Sequence, residues 1–100
     1  MNISITARKF KAHDSLKDFI KAEVSSLEKF NYDILKADVI LSYQNVNNSI
    51  KTAEILLQVP GQTFSAAANT DDFKKSINSA VGKLERQLKK LKTKRTVRVK

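Results

Sequence analysis

The residues of this 100-residue chain that could do chemistry are its cations, concentrated in the last third. Lys74, Lys75, Lys83, Arg86, Lys89, Lys90, Lys92, Lys94 and Arg95 follow one another there, with Gln87 among them. Ammonium and guanidinium groups are strong donors to phosphate and carboxylate oxygens. At helical spacing Lys75, Lys83, Arg86, Lys89 and Lys90 fall on one side of a rod, with Lys74 and Lys92 on its shoulder. From Lys83 to Lys100 nine Lys/Arg face Glu85 alone, whereas Met1 to Gly82 holds ten Lys/Arg against nine Asp/Glu, so nearly all of the net charge of +9 lies at one end. A basic patch of this kind is the electrostatic footprint of a polyanion, because neutralising phosphates releases condensed counterions. Charge alone fits a solvated helix face with a loose end equally well. Arg8, Lys9 and Lys11, grouped around Phe10, form a smaller candidate phosphate contact, although a solvated loop is the commoner arrangement.

Other chemistry lacks its parts. The chain has no Cys and a single His, His13, which removes thiolate sites, disulfides and most zinc sets. It has no glycine-rich phosphate loop and no plausible Ser/His/Asp set. Asp71-Asp72 could suggest magnesium, but carboxylates in a helix's first turn are more often capping and dipole residues. The expectation is a binding protein, not an enzyme, with no cofactor, no metal and no small-molecule substrate. No apolar run reaches membrane length and the first residues lack a signal peptide's pattern, so a cytoplasmic chain is expected, without membrane association.

The elements that must position these cations follow from periodicity. Asn2-Ile3-Ser4-Ile5-Thr6 alternates like a half-buried strand. His13-Asp14-Ser15 offers a helix start, and Leu16, Phe19, Ile20, Val24, Leu27 and Phe30 give that helix an apolar stripe, with Glu23 intruding on it. Asn31-Tyr32-Asp33 breaks the helix. Strands are predicted over 37–44, 50–59 and 62–68, joined by Asn45-Val46-Asn47-Asn48 and by Pro60-Gly61. Asn69, Thr70 and Asp71 supply an N-cap for a second helix, predicted over Asp71 to Lys92 and about 33 Å long at 1.5 Å per residue. Phe73, Ile77, Ala80, Val81, Leu84, Leu88 and Leu91 form its apolar stripe, opposite the cations. Gly82 either admits a close backbone approach or is a tolerated helix glycine.

The order β-α-β-β-β-α predicts an α+β domain of two layers, a four-stranded sheet with two helices packed on one face and the other face wet. One domain spans 1–93, and 94–100 reads as a basic, flexible tail. The aromatics are mostly placed in the core stripes, which favours recognition of folded RNA by shape and phosphate over base stacking.

These residues resemble the ribosome hibernation promoting factors, the family that includes the ribosome-associated inhibitor. The resemblance covers essentially the whole chain. Its most specific parts are Ala66-Ala67-Ala68-Asn69-Thr70-Asp71-Asp72-Phe73 and Lys83-Leu84-Glu85-Arg86-Gln87-Leu88-Lys89-Lys90; the opening strand and Leu16-Lys17-Asp18-Phe19-Ile20 add to it. It implies a stress or stationary-phase protein that binds the small ribosomal subunit and its ribosomal RNA in the messenger and transfer-RNA channel and inhibits translation. It implies too a monomer off the ribosome, and a short form without the C-terminal domain with which long forms pair ribosomes. Asp72, Lys83, Arg86, Gln87, Lys90 and Lys92 match family positions, and the basic ones would contact RNA phosphates. Ala7 stands where relatives often have Gly, Glu23 where Lys is frequent, Lys74 where many have Tyr, and Asn78 where many have Asp. A general double-stranded-RNA-binding module is the alternative, since such domains also join three strands to a C-terminal helix with a Lys-Lys pair near its start. A protein-interaction domain with a solubilising tail is a third reading.

Overall fold

Alternation in the opening residues produces strand β1 (Asn2–Ala7), whose Ile3, Ile5 and Ala7 pack against the core. The computed structural model describes residues 1–30, 33–44 and 50–98, and within these the side chains up to residue 90 other than those of Phe30 and Gln44. Helix α1 (Asp14–Ser25) follows, then a 3-10 turn over Ser26–Phe30. The sequence pattern carries one continuous helix to Phe30; instead α1 tightens at Ser26. Its hydroxyl donates to the Glu23 carbonyl at 2.6 Å, a local bond of the kind that competes with regular helix. His13, not Asp14 or Ser15, occupies the N-cap position, in extended conformation and without a side-chain cap bond. Glu23 is half-buried at the edge of the stripe that it interrupts.

Strands β2 (Lys36–Gln44), β3 (Ile50–Val59) and β4 (Gln62–Thr70) form an antiparallel meander. The connection expected at Asn45-Val46-Asn47-Asn48 lies outside the described residues. Between β3 and β4, Gly61 takes φ +89°, a left-handed backbone that L side chains disfavour, so the Pro60-Gly61 turn depends on it. β1 joins β2 in parallel, Ile3 opposite Ala37 and Ile5 opposite Val39, giving the strand order β1-β2-β3-β4. A parallel neighbour requires a crossover, and α1 supplies it.

Period two then sorts the sheet. Ala37, Val39, Leu41, Ala53, Ile55, Leu57, Val59, Ala66 and Ala68 are buried on one face. Gln58, Thr63, Ser65 and Asn69 are exposed on the other, with Asp38, Ser42 and Glu54 half-exposed beside them. Helix α2 (Phe73–Arg98) lies on the apolar face, where Phe73, Ile77, Ala80, Val81, Leu84 and Leu88 are buried. Each large side chain so buried contributes about 1.5–3 kcal/mol. Two bounds of α2 differ from the sequence pattern. It starts at Phe73 rather than Asp71, because Asp72 uses its Oδ1 to accept the Lys74 N–H at 3.2 Å, in the manner of an N-cap. It continues to Arg98 rather than ending at Lys92: no Gly or Pro stops it, and terminal cations suit the negative end of a helix dipole.

Gly82 separates the two accounts of a helix glycine. A Cβ built there meets nothing within 4 Å, so no close approach of this chain requires it. Gly82→Ala is therefore expected to raise stability by about 1 kcal/mol, the helix-propensity difference. Urea denaturation checks this: the midpoint should rise with an unchanged slope.

Candidate nucleic-acid interface

The site is built on α2, whose N-terminus is fixed by polar contacts that the apolar pattern does not reveal. Ser76 is fully buried inside the apolar stripe. Its Oγ donates to the Lys51 carbonyl at 2.7 Å and lies 2.7 Å from Thr70 Oγ1, which also accepts the Asp72 N–H at 3.1 Å. The end of β4, the start of β3 and the first turn of α2 thus share one hydroxyl network. Ser76 stands one turn after Phe73 on the same helix face, and that spacing was the available signal; its polarity hid it.

Lys51 is a second residue that sequence reasoning passed over. Its Nζ donates to the Asp71 carbonyl at 3.2 Å and lies 5.7 Å from the centroid of the Tyr43 ring. Lys75 bonds the Asp71 carboxylate at 3.2 Å. The Lys75 hydrogen bond, then its charge, hold the Asp71 carboxyl below the ordinary aspartate value, with a smaller contribution from Lys51.

The candidate cations divide into three groups by what they touch. Lys83 and Gln87 reach across to the sheet, Lys83 Nζ donating to the Ala67 carbonyl at 2.7 Å and Gln87 Nε2 to the Ser65 carbonyl at 3.0 Å. Lys74 and Lys75 are exposed at the start of α2, Lys74 Nζ 5.6 Å from the centroid of the Phe19 ring and Lys75 on Asp71. Arg86, Lys89 and Lys90 are exposed and make no ion pair or hydrogen bond among the described residues. The side chains of Lys92, Lys94 and Arg95 lie outside the described residues, as does that of Leu91.

Arg8, Lys9 and Lys11 come to the same end of the molecule as Lys74 and Lys75. Their anchor is Phe10, stacked on Phe73 at 5.2 Å with the planes 13° apart, and edge-on to Tyr43 at 5.0 Å. Arg8 N–H continues the parallel ladder to the Leu41 carbonyl at 2.9 Å. Lys9 takes φ 64°, a left-handed conformation costing a non-glycine residue about 1–2 kcal/mol. The Phe10 packing holds that turn. All three cationic side chains are exposed. The structure therefore presents a cluster around an aromatic anchor and a ridge running from Arg86 to Lys90, both on or beside α2.

No helix among the described residues is long and apolar enough to cross a membrane. The chain is thus a two-layer α+β module, a four-stranded sheet with two helices, that displays exposed cations on one long helix. The chain belongs to the Ribosomal S30AE family, described as Sigma 54 modulation protein / S30EA ribosomal protein, with the match running over residues 3–96. It is 30% identical over 94 residues to the ribosome hibernation promoting factor of Escherichia coli K12, covering 94% of this chain and 96% of that one. It is 27% identical over 94 residues to the ribosome hibernation promotion factor of Bacillus subtilis, covering 94% of this chain but 50% of the relative. The chain thus spans about half the length of that longer relative. Among solved structures it is similar to the N-terminal domain of Thermus thermophilus Protein Y, with TM-score 0.79 and 27% identity over 91% of this chain and 99% of that one. It is also similar to a ribosomal subunit interface protein from Coxiella burnetii, with TM-score 0.82 and 25% identity over 93% and 99%.

The Asp71 brace has a pH signature. A carboxyl depressed in the folded state contributes stability that is fully present above its unfolded pKa and is lost as pH falls through the folded value. NMR titration of Asp71 should show a midpoint below that of free aspartate, and Lys75→Met should move it back up. An unchanged midpoint in the variant would show that the pair is not populated in solution.

Proposed function

We propose that this chain binds the small ribosomal subunit, through phosphates of its ribosomal RNA in the channel used by messenger and transfer RNA. There it inhibits translation by occupancy and keeps ribosomes in hibernation under stress or in stationary phase. The observation that carries the reading is the exposed ridge Arg86, Lys89, Lys90 on a helix whose opposite face is buried against the sheet and α1. Membership of the family and likeness to proteins named for ribosome hibernation and the subunit interface support the ribosome as the source of the polyanion. A rigid row of cations positions a partner by its backbone and carries no base code, as suits a shape-defined RNA channel. Arg8, Lys9, Lys11, Lys74 and Lys75 extend the contact at the other end of α2, and Lys92, Lys94 and Arg95 continue it beyond Lys90. Lys83 and Gln87 already spend one N–H each on the Ala67 and Ser65 carbonyls, which ties their heads to the β4 edge, so their replacement should weaken binding less than loss of Arg86 or Lys90. The action requires no turnover and places the protein wherever ribosomes are, in the cytoplasm.

Co-sedimentation with purified small subunits across a salt series tests this. With about five or six phosphates neutralised, log affinity should fall against log salt with a slope near −4 to −5. Replacing Arg86, Lys89 and Lys90 together by Gln should flatten the slope by about 2–3 and relieve inhibition of initiation in vitro. Tighter binding to plain duplex RNA than to subunits would favour a general double-stranded-RNA module, and a slope near zero would remove the ridge as the contact.

A further inference from the structure

The two edges of the sheet are finished differently. On β4 the Ser65 and Ala67 carbonyls, pointing away from β3, already accept hydrogen bonds from Gln87 and Lys83. A further strand would need those positions, so α2 closes this edge with its own side chains. On β1 the bonds to the β2 side come from the N–H groups of Asn2, to the Leu35 carbonyl, and Arg8, to that of Leu41. Backbone groups alternate sides along a strand, so the N–H and C=O of Ile3, Ile5 and Ala7 point outward. Among the described residues no side chain caps them. From Asn2 to Ala7 there is no Lys, no Pro and no charge of any sign, the devices that ordinarily guard an edge.

We infer that β1 is a self-pairing edge that takes β1 of a second copy, antiparallel about a two-fold axis at Ile5, so that two sheets join into one. In that register Ile3 faces Ala7, Ile5 faces its equivalent and Ser4 faces Thr6. Aliphatic side chains then meet on the core face and hydroxyls on the open face, a matched set of cross-strand pairs. Ile3, Ile5 and Ala7 are only partly buried in one copy and gain cover in two.

Electrostatics favour the same arrangement. The excess positive charge sits on α2, which packs on β3 and β4, while β1 at the opposite edge is uncharged. Joining two six-residue strands buries less than the roughly 1,000 Å² of a stable interface, so the association is weak and the dilute chain is a monomer.

Sedimentation velocity and amide exchange on the whole chain, from micromolar to millimolar concentration, test this. Reversible dimers should grow in with concentration, and the Ile3, Ile5 and Ala7 amides should slow several-fold while those of Ser4 and Thr6 change little. The exchange pattern needs no substitution, so it decides the matter even where a variant folds poorly. The variants Ser4→Lys/Thr6→Lys and Ser4→Glu/Thr6→Glu should each stay monomeric, and an equimolar mixture should associate. A wild-type chain that stays monomeric at millimolar concentration overturns the inference. So does a dimer that the Lys pair leaves intact, or one whose protection appears along β4 instead. Each result stands apart from ribosome binding, which is measured on α2.

Discussion

Burial of the α2 stripe against the sheet sets the rotation of that helix, and the rotation sets where every cation points. Ile77, Leu84 and Leu88 have no access to water, nor have Ile55 and Leu57 on the strand face beneath. Turning the helix by even one residue, about 100°, would bring these side chains into solvent and lysines into the core. That penalty is many kcal/mol, since apolar exposure and charge burial act together. The small side chains of Ala66 and Ala68 on β4 leave room for close helix packing, and the Ser76 network fixes the helix along its own axis as well.

With the rotation fixed, the cations are not equivalent. Lys83 stabilises a strand edge and Lys75 braces a carboxylate, so each has one of its three N–H donors and its direction committed within the chain. Lys74 lies over an aromatic ring, a weaker engagement at an exposed site. Arg86, Lys89 and Lys90 hold no such bond among the described residues and stand exposed. Preorganised charge of this kind loses little conformational freedom on association beyond the side chains themselves.

The same helix governs the sheet's edges. By spending Lys83 and Gln87 on the β4 carbonyls, α2 leaves β1 as the edge without side-chain caps among the described residues. Edge protection and the exposed cations therefore share one rod, divided by helical angle: Lys83 and Gln87 reach the β4 edge, and Arg86, Lys89 and Lys90 face the solvent.

Much was legible in the sequence alone because it depends on local periodicity. Alternation in Ile3-Ser4-Ile5 and in Val39 to Tyr43, the Pro60-Gly61 turn and the three- and four-residue steps from Phe73 to Leu88 determined the element order, the apolar faces and the side of α2 that carries charge. Composition likewise placed the excess charge after Gly82. The parallel joining of β1 to β2 depended on tertiary structure, since pairing direction leaves no mark on a strand's own alternation. So did the hydroxyl junction at Ser76, the role of Lys51, and the capture of Lys83 and Gln87 by β4. The side-chain bonds to the Lys51, Asp71, Ala67 and Ser65 carbonyls join groups 16 to 25 residues apart, and a hydrogen bond across such a span depends on angstrom-scale placement that no periodic pattern encodes.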